Sequence, residues 1–215
     1  MILFGAQRRR SLVTLGPVEG SATHVRVPRA EMRDARNLQE RLLSGVPGLL
    51  EGILATINRL PSGSDLRQSM IVRASMIGWA AYSRGDLDLL LLAYDPEAVY
   101  TTEMPPELRI PDGPKGGSYK GHDEIRAYIA NFRAPWDDVR AELTDVLILE
   151  PGDRVVALGT LRARGPVSGV EVETPLANVV DLKGGRIIRQ EDYWDHREAL
   201  QAAALDPARF PDLAV

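Results

Sequence analysis

From Ala141 to Asp195 the apolar residues alternate with polar ones at period two, and no helical spacing interrupts them. A parallel sheet needs a crossover of about a dozen or more residues, usually a helix, between successive strands, so this stretch predicts antiparallel hairpins. Ala141, Leu143, Leu147 and Leu149 mark one face of a first strand, Pro151-Gly152-Asp153 a turn, and Val155 to Arg164 a second strand. Gly165 to Gly169 turns the chain again. Val170 to Leu182 forms a long third strand, bulged or bent at Pro175 because proline has no N–H for the ladder. Lys183-Gly184-Gly185 predicts a tight hairpin into Arg186–Asp195, and a short helix over Glu198–Leu205 closes the pattern.

The chain before residue 135 reads as helices. Residues 1–30 have no sustained period, and poor order is expected there. From Glu31, Ala35, Leu38 and Leu42 share a helical face up to Ser44-Gly45; Val46, Leu49, Leu50, Ile53, Ile57 and Leu60 share another, with Pro47 in its first turn. After the break at Leu60-Pro61-Ser62-Gly63, Ser64 caps a long helix carrying Leu66, Met70, Ala74, Ile77 and Ala81 to Arg84. Gly85 ends it in left-handed backbone, and Asp86 caps a shorter helix through Leu87, Leu90, Leu91 and Tyr94. Ala98–Thr102 has strand chemistry, and a loop runs from Pro105 to Gly117. Gly121-His122-Asp123-Glu124 then opens a helix with the apolar stripe Ile125, Tyr128, Ile129 and Phe132.

Helices followed by a meander give an α+β fold: a strongly curved antiparallel or mixed sheet wrapped over helices, leaving a cone-shaped pocket, with an N-terminal helical extension. The expected units are a leader with two amphipathic helices at 1–62, the cone at 63–205 and a tail at 206–215. With 44% hydrophobic residues the chain is ordinary for a globular protein, and no apolar run approaches the roughly 18 residues of a membrane span. The first ten residues lack the apolar core and cleavage site of a secretory signal, so a cytoplasmic location is expected.

Absence of cysteine excludes disulfides, thiolate nucleophiles and thiolate metal sites. Three distant histidines, His24, His122 and His196, without His-Glu-x-x-His spacing predict no metal. Gly113-Pro114-Lys115-Gly116-Gly117-Ser118 lacks phosphate-loop spacing and Gly-x-Ser-x-Gly is missing, so nucleotide hydrolysis and serine-type acyl transfer are set aside; no cofactor is expected. Residues 1–60 hold nine arginines against five acidic groups, while the remainder is acidic. Arg8-Arg9-Arg10 invites a nucleic-acid reading, but no aromatic residues interleave, and attraction of this leader to the acidic body is the simpler expectation.

The phrases Ala80-Ala81-Tyr82-Ser83-Arg84-Gly85-Asp86-Leu87-Asp88, Tyr94-Asp95-Pro96-Glu97-Ala98-Val99 and Tyr119-Lys120-Gly121-His122-Asp123-Glu124-Ile125-Arg126 appear in order. They continue through Ser168-Gly169-Val170, Leu182-Lys183-Gly184-Gly185-Arg186-Ile187-Ile188 and Asp192-Tyr193-Trp194-Asp195, spanning just over half of the chain. This succession resembles the SnoaL-like branch of the nuclear transport factor 2-like superfamily. The resemblance implies a cone-shaped α+β barrel, often a homodimer through the outer sheet face. It does not imply one activity, since isomerases, polyketide cyclases, epoxide hydrolases and proteins without chemistry share the fold. The roles of a ketosteroid isomerase fall near Gly78, Thr102 and Ala177, none of which carries the needed group, and Glu103 sits one residue out of phase. Asp192 resembles the last-strand carboxylate of limonene epoxide hydrolase, but the Leu158–Arg164 strand supplies arginines without the partner carboxylate.

A cyclase-like reading needs one acid/base, and Asp192 or His196 is the candidate catalytic group. Period two puts Gln190, Asp192 and Trp194 on one face. Trp79, Tyr82, Tyr100, Thr102, Tyr128 and Phe132 join Gln190 and Trp194 as the expected pocket lining. The competing assignment of Asp192 is an ion pair with Arg162 or Arg189 across strands. Two function classes follow: a binder of, or enzyme acting on, a small hydrophobic molecule, and a non-catalytic dimeric interaction module. Neither calls for a nucleic acid or a membrane.

Overall fold

The computed structural model describes residues 13–18, 22–28, 35–46, 48–61, 63–109, 113, 116–150, 152–166 and 169–214. In chain order the elements are β1 (Val13–Val18), β2 (Ala22–Arg26), α1 (Leu38–Gly45), α2 (Leu49–Arg59), α3 (Asp65–Arg84), α4 (Leu87–Leu91), β3 (Tyr94–Glu103), β4 (Gly116–Lys120), α5 (Gly121–Arg133), β5 (Asp138–Leu149), β6 (Arg154–Arg164), β7 (Glu171–Lys183), β8 (Arg186–Tyr193) and α6 (His196–Ala202), with 3-10 turns at Pro106–Leu108 and Pro207–Arg209. The strands form one curved, unclosed sheet in the order β1-β2-β5-β6-β7-β8-β3-β4. Every pair is antiparallel except β3 with β8. The expected α+β class and mixed sheet are what the chain adopts.

Local chemistry explains the punctuation. Ser64 accepts from the Arg67 N–H, Asp86 accepts from the Leu89 N–H, and Gly85 ends α3 at φ 69, as expected. Gly184 and Gly185, at φ 61 and 77, make the two-residue turn between β7 and β8, a geometry that a side chain would strain.

The sheet is apolar on both faces. Its inner face packs on α3, α4 and α5 around Trp79, Tyr94, Tyr100, Ile125, Ile129 and Phe132. On its outer face, Leu147, Val156, Leu158, Ala177 and Val179 lie under Ala199, Leu200, Ala203, Phe210 and Leu213. The expected tail at 206–215 therefore contributes two buried side chains to an outer core.

Several expectations are corrected. Residues 13–18 and 22–26 form a β-hairpin on β5 rather than a poorly ordered leader. In β2, four successive residues from Ala22 are buried, so no alternation betrays the strand. The strand at 98–102 begins at Tyr94, and β4 occupies the end of the expected loop. The face of α3 is rotated: Ile71, Val72, Trp79 and Ala81 are buried while Leu66 is exposed. A register shift between Leu143 and Asp145 turns β5 over, so Ala141 and Leu143 face inward with Val146 and Ile148, and Leu147 faces outward. Pro175 causes no bulge: its pairing with Thr160 is continuous, and β8 pairs with β7 only from Ala177, leaving that edge of the proline without a strand to bond. The last helix starts at His196, capped by Asp195. Arg8-Arg9-Arg10, Pro47, Pro151 and part of the Pro105–Gly117 loop lie outside the described residues.

Helix α2 packs on the sheet at the β7–β8 hairpin, whereas Arg36 and Glu40, at the entry of α1 and within it, pair with the cap of α4 and the end of α3. Glu51 pairs with Arg186 at 3.3 Å, and Leu54 lies against Gly185, where an added Cβ would come within 2.9 Å. Arg36 pairs with Asp86 at 2.6 Å and Glu40 with Arg84 at 3.2 Å. From this hairpin to Asp192, β8 runs six residues, about 20 Å. Helix α2 thus sits at the end of β8 remote from that carboxylate.

Candidate active site

Strand register assembles the site. Asn178 on β7 is the partner of Asp192 on β8, and Asp192 is the partner of Thr102 on β3. Three polar side chains therefore stand abreast on the inner face, about 4.8 Å from strand to strand. Two residues back along the strands, Gln190 is the neighbour of Tyr100.

Asp192 is held by three donors. Its Oδ1 accepts from Asn178 Nδ2 at 2.7 Å and from Gln190 Nε2 at 2.9 Å, and its Oδ2 accepts from the Tyr100 hydroxyl. Gln190 Oε1 in turn accepts from the Tyr94 hydroxyl at 2.6 Å, which fixes which end of the amide faces the carboxylate. A carboxylate has about four lone-pair sites, so one on Oδ2 stays open. Arg162 pairs with Glu173 and Arg189 with Glu191, so neither expected ion pair forms at Asp192, and no cation meets it among the described residues.

Burial pushes the Asp192 carboxyl up to about 6, against the opposing pull of the Tyr100, Gln190 and Asn178 donors. Burial, followed by the charge on Asp192, raises Tyr82, Tyr94, Tyr100 and Tyr128 above the usual phenol value. All four phenols stay neutral. They surround an acid that titrates close to neutrality.

The expected lining residues converge on this group to different degrees. Tyr128 on α5 stacks on Tyr119 at 4.3 Å between centroids and lies 5.5 Å from Tyr100. Thr102 is buried beside Tyr128, yet its Oγ1 meets no partner with hydrogen-bond geometry. Trp194 packs on the inner core with Nε1 buried and unpartnered. Phe132 is buried core, and Trp79 lies over Gly159 of β6. Tyr82 is half-buried against the same core, with the Arg133 guanidinium 5.8 Å from its ring centroid.

His196 lies elsewhere. Its Nδ1 faces the Leu213 carbonyl at 3.1 Å and its Nε2 the Gly159 carbonyl at 2.8 Å, at the outer core. Both nitrogens face backbone carbonyls, away from the Asp192 cluster. Glu103 is exposed, on the opposite phase of β3 from Thr102, as expected. A depression of about 330 Å³ opens where β3 meets β4, bordered by Thr101, Thr102, Glu103, Met104, Arg109, Gly116 and Gly117. It shares Thr102 with the Asp192 cluster but does not enclose the carboxylate itself.

Sequence reasoning missed Asn178 and Tyr94. A lone amide within the run Leu176-Ala177-Asn178-Val179-Val180 is a readable sign of a buried polar group. Tyr94 fits the end of a helical stripe equally well, which disguises it.

A model of the SnoaL-like domain matches residues 78–190, just over half of the chain. The chain belongs to the SnoaL-like family. The matched segment holds every member of the cluster except Asp192 and Trp194, which lie just beyond it. None of the curated proteins matches this SnoaL-like chain. Among solved structures, an NTF2-like protein of unknown function from Burkholderia pseudomallei K96243 is 27% identical, with 60% of this chain and 94% of that one covered at a TM-score of 0.47. TerC, co-crystallised with polyporic acid, is 20% identical, with 66% and 96% covered at a TM-score of 0.48. A hypothetical protein with a ketosteroid isomerase-like fold from Catenulispora acidiphila DSM 44928, in complex with trimethylamine, is 16% identical, with 63% and 95% covered at 0.47.

Proposed function

We propose that this SnoaL-like protein binds a small hydrophobic molecule on the inner face of its sheet and that Asp192 acts on it as a cofactor-independent general acid/base, in an isomerisation, cyclisation or hydrolysis. The observation that supports it is a partly buried carboxylate, without a cation beside it among the described residues, pushed up to about 6 by burial and retaining one open lone pair. At neutral pH such a group is mostly ionised, and it accepts and returns a proton without a large energetic mismatch. Asn178 and Gln190 anchor Oδ1, so the open position stays on Oδ2 beside the Tyr100 hydroxyl. An Asp-Arg-Asp water-activating arrangement has no support, because Asp192 lacks an arginine neighbour among the described residues.

The reading as a dimeric module rests on the outer sheet face, and α6 with residues 205–214 covers much of that face. The acid/base reading is therefore preferred. Native mass spectrometry of freshly purified protein tests it: a co-purified small molecule is expected, and Asp192→Asn should keep the fold while abolishing turnover of that molecule. An empty protein, or a variant that turns the molecule over unchanged, overturns the reading.

A further inference from the structure

Tyr94 is held at both ends. Its backbone carbonyl faces His122 Nε2, at the start of α5, at 3.2 Å and accepts from Arg186 Nη1 at 3.4 Å. The same Arg186 nitrogen reaches the Leu92 carbonyl at 3.1 Å, and Nη2 reaches Glu51 of α2 at 3.3 Å. At the other end the phenol hydroxyl donates to Gln190 Oε1 at 2.6 Å, and both side chains are buried. In register Tyr94 lies opposite Ile187, and the β3–β8 pairing then shifts before it resumes at Val99 and Arg189. The ring of Tyr94 therefore runs along three residues of β8, about 10 Å of strand, to meet Gln190.

We propose that Tyr94 is a positioning residue for Asp192, acting through Gln190: its hydroxyl occupies the amide oxygen, so that Nε2 is the end left to donate to Oδ1. The inference rests on the acid/base reading for its meaning and adds a residue that acts on the carboxylate without bonding to it. A phenol donating to the amide oxygen polarises the amide and strengthens its N–H as a donor. With phenylalanine at position 94 that buried oxygen has no partner, Gln190 holds Oδ1 less firmly, and the ionised carboxylate loses stabilisation. The other titratable side chains coupled to Asp192 are Tyr82 on α3, Tyr100 on β3 and Tyr128 on α5, phenols that burial raises above their ordinary value and keeps neutral. Glu191, next on β8, pairs with Arg189 and accepts from the Tyr193 hydroxyl.

The test is a double-mutant cycle read by carbon NMR of the Asp192 carboxyl in the full chain. Tyr94→Phe should move its titration upward from about 6 by about 0.5–1 pH unit, a roughly three- to tenfold change in proton affinity. Gln190→Met, of nearly equal length, should move it upward as well. Adding Tyr94→Phe to Gln190→Met should move it no further, because the hydroxyl then has no amide to act on. 3-Fluorotyrosine at position 94, a stronger donor of almost the same shape, should shift the titration downward and serves where Tyr94→Phe does not fold. No shift in either background means that Tyr94 only fills space, and equal shifts with and without Gln190 mean that it acts on Asp192 directly; either result overturns the proposal. Turnover is a separate readout: if Asp192→Asn turns the co-purified molecule over unchanged, the acid/base reading falls while the cycle still decides whether Tyr94 positions the carboxylate.

Discussion

Tyr100 and Asp192 meet across the parallel strand pair of the sheet, with the phenol hydroxyl of β3 donating to the carboxylate of β8. The two are offset by two residues in register, so the ring of Tyr100 leans along the strands to reach Oδ2 while Thr102 stands directly beside Asp192. Tyr100 thus heads the donors that oppose the effect of burial on this acid. Tyr100→Phe removes a hydrogen bond to a charged group, a change of about 1.5–3 kcal/mol. Carbon NMR of the Asp192 carboxyl should therefore show its titration moving upward from about 6 by roughly 1–2 pH units. A downward or absent shift would mean that the phenol does not stabilise the carboxylate.

The same titration leaves a mark on folding. Asp192 binds its proton more tightly folded, at about 6, than at the ordinary carboxyl value of 3.8 that approximates the unfolded chain. Between these values the native state carries more protons than the unfolded one, so the contribution of Asp192 to stability falls as pH rises. Its full extent is about 3 kcal/mol, complete in the acid range and lost as pH climbs through 6. Urea unfolding from pH 4 to 7 should show this decline, and Asp192→Asn should flatten it. Asparagine keeps an oxygen for Asn178 and Gln190 and turns its amide toward Tyr100, whose hydroxyl is able to accept. A slope that persists in the variant assigns it to another group.

Much of this frame is legible in the residues. Ser64, Gly85, Asp86 and the Gly184-Gly185 turn act locally, through a cap or a backbone angle, and local chemistry reads directly from sequence. The pairing of Gln190 with Asp192 follows from period two. What escaped depends on neighbours distant in the chain. The β1–β2 hairpin has a meaning only beside β5, and the reversal of β5 at residues 143–145 is a bulge that no apolar pattern announces. Tyr94 and Asn178 reach Asp192 because β3, β7 and β8 are adjacent, and strand order is not written in any one strand.

Gly159 on β6 is tightly enclosed by β5 and α3. A Cβ there would strike the Glu142 carbonyl on β5 and come within 2.7 Å of the Trp79 ring. Its own carbonyl meets His196 Nε2 at 2.8 Å. Backbone on one side and a packed indole on the other leave little room to yield. Gly159→Ala should destabilise the protein by about 3 kcal/mol or more, at or above the upper end of ordinary overpacking. Chemical denaturation measures this directly, and a loss below about 1 kcal/mol would show that α3 can shift away from the sheet.

His196 joins the C-terminal turn to the sheet, with one nitrogen toward the Leu213 carbonyl and the other toward Gly159. Phe210 adds an edge-on contact with His24 at 6.5 Å between centroids, and His24 is itself bonded to Asp145 at 2.9 Å. These contacts fasten residues 205–214 over the apolar outer face of β5, β6 and β7. Removing residues 206–215 takes away Phe210 and Leu213 and leaves Leu147, Val156, Leu158 and Val179 partly bare, an exposed patch that favours association. Sedimentation velocity should reveal a concentration-dependent association in the truncated protein beyond any shown by the full chain. His196→Leu should show a weaker form of the same behaviour, with a stability loss of about 1–3 kcal/mol from carbonyls left unpaired. Because His196 touches the outer core and not the Asp192 cluster, the titration of Asp192 should stay where it is in that variant. A truncated chain that sediments like the full one would mean that α6 alone suffices to cover the face.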